Sequence, residues 1–125
     1  DKVKAEVDAI VARQVAARAG ELEAARPMTG PTVSQVLDAV AEATGFPVGD
    51  LIGPRHFKAL VRARHIAFYL FKTLRRDLSL PGIAKAMGNR DHTTILAGLR
   101  RFEQRKDEEP TQGWMQQPAI RALFP

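Results

Sequence analysis

The sequence predicts an all-α fold: a compact helical domain that carries a helix-turn-helix, with an additional helix at its N-terminus. Three observations support it. Apolar residues recur at i, i+3, i+4 and i+7 in successive segments. The nine residues Gly88 to Leu96 hold both a helix stop and a helix start. Breakers such as Pro27-Met28-Thr29-Gly30-Pro31 fall between the periodic segments rather than inside them. With 125 residues, 45% of them hydrophobic, the chain can bury one modest core but not two independent ones.

Taken in order, residues 2–25 are alanine-rich, with Val3, Val7, Ile10, Val11 and Leu22 among the apolar positions and no proline before Pro27. That stripe is expected to pack on its own domain; pairing with a second copy is the alternative, for which it is short. Thr32 and Gln35 form a capping box for a helix to about Thr44, with Val33, Val36, Leu37 and Val40 inward. Gly45 to Pro54 is a turn-rich connection. A long helix from about Phe57 to Arg75 buries Leu60, Val61, Ala67, Phe68, Leu70, Phe71 and Leu74. Ser79 then opens a helix of about two turns, Leu80 to Met87, with Leu80, Ile83, Ala84 and Met87 on one face.

Gly88 follows the last apolar position and suits a left-handed C-terminal cap. Asp91 can start the next helix by accepting from the backbone N–H of Thr93 or Thr94. In that helix Ile95, Leu96, Leu99 and Phe102 are expected to face inward, leaving His92, Thr93, Thr94, Arg100 and Arg101 outside or at its ends. The chain thus divides into an N-terminal helix (1–27), a central domain (32–104) and a C-terminal tail (105–125). Trp114 to Pro125 is apolar yet contains Pro118 and Pro125, and an extended strand capping the core is expected there. Its Gln117-x-x-Ile120-x-x-Leu123-Phe124 spacing also resembles peptides that dock on sliding clamps, a weaker reading for so short a motif.

Charge is distributed one-sidedly. Residues 55–105 hold twelve Lys and Arg against Asp77, Asp91 and Glu103, a net +9, whereas the remaining residues have seven bases and eleven acids. Such a block attracts a polyanion and makes binding salt dependent. Within it, the first turn of the second short helix has base-reading chemistry. Aspartate accepts from a cytosine amino group, threonine offers a hydroxyl and a methyl, and histidine donates to a base or phosphate. In a helix-turn-helix this end enters the major groove. The same four residues would equally serve as a plain capping cluster on a surface helix.

Asn89-Arg90-Asp91-His92-Thr93-Thr94-Ile95-Leu96, preceded by Ser79-Leu80-Pro81-Gly82-Ile83-Ala84-Lys85-Ala86-Met87-Gly88, resembles the signature of the C-terminal DNA-binding domain of DnaA, the bacterial replication initiator. The likeness continues through Val36-Leu37-Asp38-Ala39-Val40, Val48-Gly49-Asp50-Leu51-Ile52-Gly53 and Ala63-Arg64-His65-Ile66-Ala67-Phe68-Tyr69-Leu70, covering about residues 32–104. It implies a Trp-repressor-like helix-turn-helix. It further implies that Asp91, His92, Thr93 and Thr94 contact bases in the major groove and that Pro81 touches a thymine methyl. Arg64 and Lys72 match phosphate contacts; Arg62, His65, Arg90 and Arg101 join them as phosphate candidates. The family's minor-groove arginine aligns with His56, with Arg55 beside it. Arg55 is the better reader, since arginine suits a narrow A·T groove.

Two departures stand out. The family's Gly-Gly-Arg-Asp-His is here Gly88-Asn89-Arg90-Asp91-His92, and asparagine tolerates the left-handed turn. Its Arg-Pro-Arg-Gln is Arg62-Ala63-Arg64-His65, so a phosphate donor is only partly replaced.

Other classes are disfavoured. There is no cysteine, and His56, His65 and His92 show no metal-ligand spacing, so neither a metal nor any other cofactor is expected. No Gly-x-x-x-x-Gly-Lys-Ser/Thr loop is present to bind a nucleotide. No catalytic constellation can be assembled, so an enzyme is not expected. No signal peptide or membrane-length apolar run is visible, which suggests a cytoplasmic, nucleoid-associated protein. The function expected is sequence-specific binding of double-stranded DNA at DnaA-box-like sites, regulating replication initiation or transcription. The alternative is an adaptor that binds DnaA or its regulators and DNA only weakly.

Overall fold

The computed structural model describes residues 30–125, which form seven α-helices and, among the described residues, no strand. The helix expected over residues 2–25 lies outside the described residues.

Local chemistry explains most boundaries. Helix α1 (Val33–Thr44) starts at the expected capping box: Thr32 Oγ1 accepts the Gln35 N–H at 3.0 Å, and Gln35 Oε1 accepts the Thr32 N–H at 2.8 Å. The connection after it contains a single-turn helix, α2 (Val48–Leu51), which seats Leu51 in the core. Helix α3 (Lys58–Leu74) is the spine of the domain and buries Leu60, Ala63, Ile66, Ala67, Phe68, Leu70 and Phe71. Val61 and Leu74, expected inside, are only partly covered. Helix α4 (Leu80–Ala86) begins where Ser79 Oγ accepts the Gly82 N–H at 3.2 Å, with Pro81 in its first turn, where a missing N–H costs nothing.

Helix α5 (His92–Arg105) packs on both α3 and α4. It buries Ile95, Gly98 and Phe102, and the Phe102 ring stacks on Tyr69 at 4.4 Å between centroids. Leu96, expected inward, is 37% exposed. The face that meets α3 is set by Gly98 instead: a Cβ there would lie 2.5 Å from the Phe68 ring and 2.9 Å from that of His65. The absence of a side chain lets the two helices approach closely, and this rotates Leu96 outward.

The tail is not an extended strand. It forms α6 (Thr111–Met115) and α7 (Pro118–Arg121), with Pro118 in the first turn of α7. Ile120 is fully buried, and α7 packs against α1. The residue at the centre of the clamp-like spacing is therefore part of the core.

Candidate nucleic-acid interface

The turn between α4 and α5 is built on two left-handed residues, Gly88 (φ +94°) and Asn89 (φ +63°). A Cβ on Gly88 would collide with the Ile52 carbonyl oxygen, so only glycine lets the turn lie against the connection that follows α2. Asp91 then caps α5. Its Oδ1 accepts the Thr93 N–H at 2.9 Å and the Thr93 hydroxyl at 2.8 Å, and these bonds hold its carboxyl below the usual range. Because the Thr93 hydroxyl spends its proton on Asp91, it faces outward as an acceptor, suited to an amino group of cytosine or adenine.

Asp91, His92, Thr93 and Thr94 are all exposed at this end of α5, and Pro81 is exposed on α4. A cleft of about 400 Å³ is lined by Pro81, Lys85, Asn89, Asp91 and His92. A neighbouring cleft of about 440 Å³ is lined by Ile52, Pro54, Asn89, Asp91 and Thr94. The N-terminal end of α5 is thus continuous on one side with α4 and on the other with the loop that leads to Arg55.

Two guanidiniums, that of Arg64 buried and that of Arg90 half-buried, hold that arrangement. Arg64 is 5% exposed. Its Nε donates to the Leu51 carbonyl at 2.9 Å, and its terminal nitrogen to the carbonyls of Asp50 (2.8 Å), Gly53 (2.9 Å) and Arg55. Arg90, from the turn before α5, shares two of these carbonyls, donating to Leu51 at 3.0 Å and Gly53 at 2.8 Å. Burial lowers both pKa values, and the proximity of Arg90 lowers that of Arg64 further, yet an arginine keeps its charge. At Arg64, expected to contact phosphate, Nε and one terminal nitrogen are engaged by main-chain carbonyls, so the guanidinium is set against the loop. Arg90 is engaged through one terminal nitrogen only, and its Nε is buried without a partner among the described residues.

The remaining phosphate candidates separate in the same way. Arg62 Nε donates to Thr111 Oγ1 at 3.0 Å, and its guanidinium lies 3.8 Å from Glu108, so it ties α3 to α6. His65 sits at the α3–α5 crossing with its pKa pushed down to about 4, by burial first and then by Arg101, Arg62, Arg105 and Arg64, so it is neutral near pH 7. Lys72 and Arg101 are exposed. Arg55 and His56 are exposed on the loop, where Arg55 lies 3.6 Å from Asp50 and over the Phe57 ring at 5.6 Å.

Individual inspection of the sequence missed Lys58 and Arg105. With Arg62 and Arg101 they line a groove of about 700 Å³ between the start of α3 and the end of α5, which has no acidic residue in its wall. The one-sided charge of residues 55–105 was the signal that could have found them.

Comparison with known sequences bears on this geometry. The family model described as the bacterial DnaA protein helix-turn-helix matches residues 33–101. The chain belongs to that family. The match runs from the first residue of α1 through most of α5, and so takes in the carbonyl clasp, the left-handed turn and the exposed N-terminal end of α5 in this DnaA-type domain. The chromosomal replication initiator protein DnaA of Ruegeria sp. strain TM1040 is 40% identical over 75 residues, 60% of this chain and 16% of that protein. The DnaA of Cereibacter sphaeroides strain ATCC 17029 is 40% identical over 73 residues, with 58% and 16% covered, and that of Neisseria meningitidis strain FAM18 is 35% identical over 79 residues, with 63% and 15% covered. The chain thus spans about 16% of the length of the first two relatives.

As a member of the family, this DnaA-type domain is a DNA-binding helix-turn-helix. Helices α6 and α7 lie beyond the matched residues. Among the described residues there is no metal-binding cluster, and no helix is long and apolar enough to cross a membrane.

Proposed function

We propose that this DnaA-type domain binds double-stranded DNA sequence-specifically at sites resembling DnaA boxes, and that it regulates replication initiation or transcription through them. One observation carries the reading: the exposed Asp91, His92, Thr93 and Thr94 adjoin the Arg55 loop on a continuous surface, which Arg64 and Arg90 fix from beneath. Residues His92, Thr93 and Thr94 read base edges in the major groove, Asp91 orients them, and Pro81 meets a thymine methyl. Arg55, with His56 beside it, enters the adjacent minor groove. Lys58, Lys72, Arg101 and Arg105 contact phosphate. As DNA binding needs no cofactor, none is assigned.

Fluorescence anisotropy tests this with a duplex carrying a consensus DnaA box against a scrambled duplex, at several salt concentrations. The expected result is a preference of a hundredfold or more, about 3 kcal/mol. Four phosphate contacts give a slope of log K on log salt of about −4. Equal affinity for both duplexes overturns the reading.

A second reading, an adaptor that binds DnaA or its regulators and contacts DNA only weakly, is favoured by one finding. Arg62, Arg64 and Arg90 direct guanidinium donors to protein acceptors rather than leaving them free for phosphate. Equal affinity in the same experiment would support it.

A further inference from the structure

Residues beyond the family match reach the Arg55 loop through a series of aromatic rings. Trp114, in α6, meets Phe46 with ring centroids 6.2 Å apart and planes at 80°. Phe46, in the turn between α1 and α2, meets Phe57 at 5.7 Å and 69°. The Arg55 guanidinium lies over Phe57, 5.6 Å from the ring centroid. The series starts on a helix outside residues 33–101 and ends on the arginine assigned to the minor groove.

Each link is directional. Edge-to-face pairs fix the tilt of one ring against the next. A planar guanidinium over an aromatic face is held in orientation as well as position. Phe57 is 44% exposed, an unusual cost for a large apolar side chain, and its edge rests on Phe46 while it supports the cation. The far end of the series is anchored as well. Thr111, at the start of α6 and 3% exposed, accepts from Arg62, whose guanidinium also donates to the carbonyls of Arg105 and Glu108 at 3.4 Å. At the near end, Asp50 competes for Arg55 at 3.6 Å. Weakening the ring contacts leaves that carboxylate to draw Arg55 back onto the protein surface.

We infer that α6 tunes DNA recognition from outside the interface: Trp114 and Phe46 are positioning residues that set the pose of Phe57, and through it the minor-groove reading by Arg55. The inference rests on the assignment of Arg55 to the minor groove.

The test uses the full chain and a panel of box duplexes in which each base pair is exchanged in turn, read by anisotropy. Arg55→Ala identifies the minor-groove positions, as those where exchanging A·T for G·C ceases to matter. Trp114→Ala and Phe46→Leu are expected to lose at least threefold of the preference at those same positions. Preference at positions read by His92 and Thr94 stays unchanged, and Trp114→Phe restores most of the loss. Adding Trp114→Ala to Arg55→Ala removes no further preference. Should Trp114→Ala fail to fold, Phe46→Leu, which keeps an apolar side chain, decides the matter alone. An equal loss at all positions, or no loss at the Arg55-dependent ones, overturns the inference and leaves α6 a structural role only. If Arg55→Ala changes no base preference, the minor-groove assignment falls and this inference falls with it.

Discussion

Thr93 and Thr94 are adjacent, both exposed and chemically identical, yet their hydroxyls are not equally free to donate. The Thr93 hydroxyl is bound to Asp91, which makes it an acceptor with its methyl beside it. Thr94 has no such bond to the cap and can donate or accept. His92 Nδ1 lies 3.7 Å from the same carboxylate, beyond hydrogen-bond distance. The expectation that follows is selective: Thr94→Ala and His92→Ala each cost about 1–3 kcal/mol of discrimination between box and scrambled DNA. Both side chains are exposed, so thermal unfolding should be nearly unchanged. Retained discrimination in both variants would reassign the edge to capping alone. This part of the site was legible in the sequence because capping and base reading use the same small polar residues at the same place. For that same reason the sequence left the two roles unseparated.

At the scale of elements, the sequence conveyed α1, α3, α4 and α5 in order, since caps and apolar periodicity are local signals, but not the single turn of α2, which is too short to show a period. It did not convey where the long side chains go. Arg64 sits on α3 within a basic stretch that resembles a phosphate-binding pattern, and only the folded approach of α2 shows it facing four carbonyls. Gly98 has no hydrophobicity to register, so the periodicity favoured Leu96 over the position where α5 touches α3. The tail gave no readable period because α6 and α7 are five and four residues long, and Pro118 reads as a breaker although it opens a helix. The placement of Arg64 predicts that Arg64→Ala destabilises the domain by about 2–3 kcal/mol in urea unfolding, by leaving loop carbonyls unpaired. Arg64→Lys should not rescue it, because a single ammonium cannot span the same carbonyl fork. Unchanged stability would return Arg64 to the phosphate contacts.

For the molecule as a whole, the concentration of positive charge in residues 55–105 has a cost besides its use in binding DNA. His65 is surrounded by Arg62, Arg64, Arg101 and Arg105, and its pKa is pushed from 6.5 to about 4. Above pH 6.5 the imidazole is neutral in both folded and unfolded chains and adds no pH dependence. As pH falls from 6.5 toward 4 the unfolded chain binds a proton that the folded domain refuses, so stability declines, by at most about 3 kcal/mol. Chemical unfolding at pH 7 and at pH 4.5 should show the decline in the native sequence and a smaller one in His65→Gln. Identical declines would mean that other groups are responsible. The clasp formed by Arg64 and Arg90 has no such sensitivity, because its acceptors are amide oxygens that do not titrate in this range. It grips the loop by its main chain rather than by its side chains, so exposed side chains such as those of Arg55 and His56 can be exchanged without altering the loop's path, whereas Gly53, where a Cβ would meet the Gly49 carbonyl oxygen, cannot. On the proposed minor-groove reading, a His at position 56, where the resemblance places an Arg, would change what the loop offers to DNA without disturbing where it stands, so preference for a site would drift while the scaffold stays fixed.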